Sequence, residues 1–278
     1  MSNSSFQELK YNRSHVKIAE ATDRAILIIK EIYHTVPAAL PFLLEPSALL
    51  LFANQRAESP YHQIGDALNS QQYKKLDTIL AKHNIYRFIE KSSAESNSYG
   101  EEWFSLVSTT MLNTIPNRYE FIKDSWTPLN LNIPLRYAYI EWNFIIERTI
   151  ADLMDGGSLP KEWLKDWWSP HNLRFGMLLG YPGEAISSML WSTAYEYSST
   201  SKGDALSNIL VAIDEQYFGA QVSFEVNRAA TGLESIVNTK DMWKNIIAKI
   251  YNDIPFSELI TNKDFERGYK SLEQRETS

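Results

Sequence analysis

The chain has 278 residues, 44% of them hydrophobic and 22% charged, which is the composition of a folded protein with a sizeable core and not of a disordered one. Its net charge of −7 argues against broad affinity for nucleic acid or an anionic membrane, because both require clustered Lys and Arg. Cysteine is absent, so disulfides, thiolate metal sites and a cysteine nucleophile are excluded.

The N-terminus MSNSSFQELKYNR lacks a basic stretch followed by an apolar run, so no secretory signal is read there and a cytoplasmic location is expected. Residues 15–35 space Ile18, Ala21, Ala25, Ile28, Ile29 and Ile32 helically, and Val36-Pro37 closes the segment. The most apolar window, residues 36–53, is broken by Pro37, Pro41 and Pro46 and carries Glu45, so it predicts buried core pieces and no membrane span. Ser59-Pro60 reads as a helix start, with Ser as cap and Pro in the first turn. Ser70 opens a further helix with a Tyr73, Leu76, Ile79, Leu80 stripe.

NIYRFIE, residues 84–90, suits a helix or a strand equally, and 90–102 is a polar, Ser-rich loop. Gly100–Leu112 again has helical spacing, as has Asp241–Tyr251 with Trp243, Ile246, Ile247 and Ile250. Val222, Phe224 and Val226 alternate, predicting a minor hairpin near 209–226. The expectation is an all-α or nearly all-α fold of about nine to twelve helices: a single irregular domain over 1–278, or two lobes at 1–95 and 100–265, with a frayed tail at 266–278.

Residues 134–157 form the central predicted helix. Leu135, Ala138, Tyr139, Trp142, Ile145, Ile146, Thr149 and Leu153 share one face, while Tyr137, Ile140 and Phe144 lie opposite, so burial nearly all round is expected. Glu141, Arg148 and Asp152 share one flank; Arg136, Asn143 and Glu147 share the other. Charges on a buried helix must be paired or shifted in pKa. Two ion-pair ladders satisfy that, or Glu141 serves as a general base or grips a cationic ligand in a cleft. The candidate catalytic set is Glu141, Arg148 and His171. Trp163 and Trp167 fall one turn apart as core residues, and Trp168 then points elsewhere; beside Arg174 and Tyr181 it makes an aromatic anchor for a partner or a flat ligand.

Residues 169–191 read as a corner between helices. Ser169 caps, Pro170 starts, Gly180 supplies a left-handed terminus, Pro182 starts the next helix and Glu184 meets the positive end of its dipole. GMLLGYPGEAISSM resembles the turn of helix-turn-helix repressors, which implies DNA reading, but the second helix offers Gly183, Glu184, Ser187 and Ser188 and no residue suited to base edges. The same stretch is similar to a signature of uncharacterised bacterial proteins, matched here by His171, Leu179, Gly180, Tyr181, Pro182 and Glu184; that resemblance implies no chemistry.

Glu31 and His34 are the one E-x-x-H pair, and no H-x-x-x-H occurs, so no metal is expected among His15, His34, His62, His83 and His171. G-x-S-x-G, phosphate-loop and dinucleotide motifs are missing, and no cofactor is expected. Two readings of function follow: a binding or interaction protein with an aromatic-edged groove over 163–184, including Trp168, Arg174, Tyr181 and Glu184, or a helical enzyme acting on a small organic molecule. A small molecule or a protein is the expected partner, nucleic acid and membrane are not, and a homo-oligomer fits either reading.

Overall fold

The computed structural model describes residues 18–62, 67–90, 103–159, 169–187 and 232–254, with four short strands between 210 and 227. Helices predominate, joined by small antiparallel sheets, so the fold is mostly α with minor β. Its contacts cluster into two units that interleave along the chain: 16–112 with 214–222 and 241–278, and 1–15 with 113–213 and 223–240. Trp163, Trp167, Trp168 and the tail at 266–278 lie outside the described residues.

In the unit built on residues 16–112, α1 (Ile18–Thr35) buries Ala21, Ala25, Ile28, Ile29 and Ile32 of the stripe its periodicity predicts, while Ile18 at its start is exposed. The proline-broken window folds into a 3₁₀ turn (Pro37–Ala39), α2 (Leu40–Leu43) and α3 (Pro46–Phe52). Leu49 to Phe52 are fully buried, as core pieces should be. α4 (Ser70–Lys82) is closed at its start by a capping box in which Asn69 accepts from Gln72 N–H and Gln72 answers Asn69, so Asn69 caps and Ser70 is already helical.

The three-stranded sheet corrects two expectations. Ser59-Pro60 does not start a helix; it lies in β1 (Glu58–His62). Residues 103–108 of the expected helix form β3 (Trp103–Ser108), and only Thr109–Leu112 is helical, as α5. With β2 (Ile85–Glu90) the order is β1-β3-β2, antiparallel throughout. β3 is central, and residues 104–108 are all buried. A strand buried on both faces shows no alternation, so its apolar run imitates a buried helix. Proline is tolerated because β1 is an edge.

The unit built on residues 113–213 contains α6 (Ile115–Arg118), a 3₁₀ turn (Glu120–Ser125), α7 (Leu135–Asp155), α8 (Ser169–Leu178) and α9 (residues 183–187). α7 buries Ala138, Tyr139, Trp142, Ile146, Ile150 and Met154. Trp142 donates its indole N–H to the Thr127 carbonyl at 2.9 Å and meets Trp126 edge-on. The helix is not buried all round: Tyr137, Ile140 and Phe144 are 64%, 56% and 67% exposed. One packed face is enough to hold a long helix, and nothing in the sequence alone says that the second apolar stripe goes uncovered.

The corner after α8 matches its sequence. Gly180 has φ 73°, its N–H bonds the Met177 carbonyl at 3.1 Å, and Tyr181 N–H bonds the Gly176 carbonyl at 3.0 Å. These are the paired bonds of a left-handed helix terminus, which glycine adopts without steric cost. Pro182 then accepts the first bond of α9 from Ile186 N–H at 3.1 Å.

Between residues 210 and 227, β4 (Leu210–Ala212) pairs with β7 (Glu225–Asn227), and β5 (Glu215–Tyr217) with β6 (Ala220–Val222). The minor hairpin expected near 209–226 is present. α10 (Glu234–Asp253) ends the described chain and buries Trp243, Ile246, Ile247 and Ile250. Among the described residues no helix is long and apolar enough to cross a membrane.

Candidate functional site

Two polar clusters stand out, one in each unit. The first joins α7 to α8. Glu147 and Asn143 sit one turn apart on the flank of α7 that faces α8, and His171 and Arg174 sit three apart on α8, so all four side chains meet. Arg174 Nε donates to Glu147 Oε1 at 2.7 Å and Nη1 to Asn143 Oδ1 at 2.8 Å. His171 Nδ1 lies 3.0 Å from the same Glu147 oxygen, and its ring stacks on Phe175. Arg174 is buried, while His171 and Glu147 are partly open to water. The His171 hydrogen bond, reinforced by Arg174, holds the Glu147 carboxyl below the ordinary glutamate value against the opposing effect of burial.

Of the candidate residues, the structure therefore brings together His171 and Arg174, with Glu147 and Asn143 as partners. Glu141 and Arg148 are exposed and belong to the other flank of α7, away from His171. Among the described residues no ion pair links Glu141, Arg148 or Asp152, so the ladder expected on that flank does not form. Tyr181 is half-buried, and its carbonyl accepts the Tyr119 hydroxyl at 2.6 Å. Glu184 stands in the first turn of α9, as expected, with one buried carboxylate oxygen that has no hydrogen-bond partner among the described residues. Trp168 lies outside the described residues.

The second cluster was not read from the sequence. Glu45 precedes α3, Ser47 is in its first turn, and Ser59 and His62 are on β1. Residues three apart on a regular strand point to opposite faces. Here the register slips between Ser59, opposite Leu106, and His62, opposite Phe104, so three steps on β1 match two on β3. That bulge turns Ser59 and His62 to one side. His62 Nδ1 is 2.8 Å from Glu45 Oε1 and Nε2 is 2.8 Å from Ser59 Oγ. Ser59 Oγ is 2.7 Å from Ser47 Oγ, which also accepts from Arg56 Nη1 at 3.0 Å. His62 and Ser59 are fully buried, with the imidazole stacked on Phe104; Ser47 and Glu45 are partly exposed. Arg56 lies over the Trp243 ring, 4.9 Å from its centre. Ser59 and His62 are three apart around Pro60, a spacing that places them on one side only once the strand bulges, so no local pattern marks the cluster.

Among the described residues no group of three or more His, Asp and Glu could hold a metal ion. No protein-family model, curated protein or solved structure matches the chain.

Proposed function

We propose that this is an interaction protein whose binding face is the exposed side of α7. The observation that carries the reading is the concentration of large apolar side chains there: Tyr137, Ile140 and Phe144 at a spacing of three and four, with Leu131 (67% exposed) just before the helix. Tyr137, Ile140 and Phe144 share one face of the helix and are each more than half exposed, and contiguous apolar surface of this kind marks interaction sites. The i, i+3, i+7 spacing suits an apolar seam against one partner helix.

The occupant is a second copy of the same helix, run antiparallel. Glu141 and Arg148 flank the seam seven residues apart, and both are exposed. A two-fold axis between residues 144 and 145 sets Glu141 of each copy opposite Arg148 of the other, and brings the Phe144 side chains together at the centre. The α7–α8 clamp supports this reading by tying one flank of α7 to α8, which leaves the Glu141 and Arg148 flank and the apolar seam open.

The test is sedimentation equilibrium of the full chain with charge-swap variants. Wild type dimerises; Phe144→Glu is monomeric; Glu141→Arg weakens association and the added Arg148→Glu restores it. A monomeric wild type at about 100 μM, or a swap series with no effect, overturns the reading.

A further inference from the structure

The hydrogen-bonded chain Glu45–His62–Ser59–Ser47 has the chemistry of an activated serine, and we infer that it is a catalytic site for hydrolysis of small carboxylic esters, with Ser47 as nucleophile. Glu45 accepts at His62 Nδ1 at 2.8 Å and so fixes the proton there. Nε2 is then the basic nitrogen and accepts the Ser59 hydroxyl at 2.8 Å. In the structure Ser59 Oγ donates to Ser47 Oγ at 2.7 Å, the order that goes with a proton on both His62 nitrogens; with Nε2 free, Ser59 turns its proton to His62 and accepts from Ser47 across the same distance. Ser47 Oγ, having donated, accepts from Arg56 Nη1 at 3.0 Å. Every donor in the neutral state points toward the imidazole, and the same distances carry the reversed order once His62 is protonated. Two states related by one proton shift are what a general base acting through a hydroxyl requires.

Access selects the nucleophile. Ser59 and His62 are sealed from water, whereas Ser47 is partly exposed at the end of the chain. The Arg56 guanidinium adds positive charge where an alkoxide develops. Ser47 Oγ bonds to the acyl carbon of the ester as its proton passes to Ser59 Oγ and the Ser59 proton passes to His62 Nε2. Collapse of the tetrahedral adduct breaks the ester C–O bond, and the alkoxide leaves as the alcohol, protonated back through Ser59. Water then attacks the acyl-serine, its proton follows the chain to His62, and that proton returns to Ser47 as the carboxylic acid departs. The net reaction consumes one ester and one water, and no electrons change hands. Ser47 is the catalytic residue; Ser59, His62 and Glu45 act through it.

The experiment treats the full-length protein with a fluorophosphonate, which a serine activated in this way displaces at fluoride, and with p-nitrophenyl acetate. One adduct per chain, mapped to Ser47, is expected, together with its absence in Ser47→Ala. Ser59→Ala and Glu45→Gln slow both reactions about 100-fold or more, the share that general-base assistance supplies, while Glu45→Asp recovers part of the rate. Glu45→Gln is made at a half-exposed carboxylate, so it keeps the fold if His62→Ala does not, and in turnover it lowers kcat with KM unchanged. An adduct on Ser59, labelling no faster than that of urea-unfolded protein, or unaltered rates in Ser59→Ala and Glu45→Gln each overturn the assignment.

Discussion

Gly176→Ala probes the corner that joins α8 to α9. A Cβ at this position falls 2.8 Å from Ile186 Cγ1 and 3.1 Å from Cδ1. Carbon atoms in contact prefer about 3.5–4.0 Å, so the new methyl is several tenths of an ångström too close to a side chain that has no room to move away. Ile186 is buried at 1% exposure and cannot swing into water. Overpacking of this kind costs about 1–3 kcal/mol. Alanine recovers about 0.8–1 kcal/mol of helix propensity at an interior glycine. The net expectation is a loss of about 0–2 kcal/mol, read as an unchanged or lower urea midpoint and melting temperature. Removing the obstacle reverses the sign: in an Ile186→Ala background Gly176→Ala is neutral or stabilising, giving a double-mutant coupling of about 1–2 kcal/mol. A Gly176→Ala variant clearly more stable than wild type, or a coupling with Ile186→Ala near zero, refutes the close approach of these two helices.

Glu147→Gln removes the carboxylate that offsets the buried Arg174 charge. Because Glu147 is partly exposed, the cost is put below the value for a fully buried pair, at about 1–3 kcal/mol at pH 7. Its folded pKa is depressed, so this contribution is complete above the ordinary glutamate value of about 4.3 and is lost as pH falls through the lower folded value. Urea midpoints of wild type and variant should therefore converge on acidification, and a constant gap between pH 7 and pH 3 contradicts the pairing. Tyr251 donates its hydroxyl to the Leu44 carbonyl at 2.8 Å, and burial, then the Glu45 charge, raises its pKa. A raised pKa makes its contribution complete below about pH 10 and lost above it. Tyr251→Phe costs about 1 kcal/mol at neutral pH, and its deficit shrinks at pH 11; a deficit that persists there contradicts the assignment. Phe144→Glu, which breaks association, leaves the unfolding free energy of the monomer within about 0.5 kcal/mol because the side chain is exposed; a larger loss places Phe144 in the core.

Local periodicity and capping chemistry were sufficient for much of this molecule. The buried stripes of α1, α4 and α10, the proline-broken core pieces α2 and α3, and the glycine terminus at 180 each depend on residues within a turn or two of one another, so the sequence by itself determined them. The pairing of flanks was not local. Glu141 and Glu147 look alike on a helical projection of α7, and only the packing of α8 decides that Glu147 meets Arg174 and His171 while Glu141 faces water. The second apolar stripe of α7 escapes burial for the same reason, since a sequence shows which faces are apolar and not which of them acquire a neighbour. β3 was hidden because a central strand buried on both faces loses the alternation that identifies strands. The Glu45–His62–Ser59–Ser47 chain needed a bulge in β1, an edge position for Pro60 and the placement of α3 against the sheet, all set by long-range pairing. Side chains within one element obey the period of that element, whereas those that meet across elements obey a register that only the folded chain supplies.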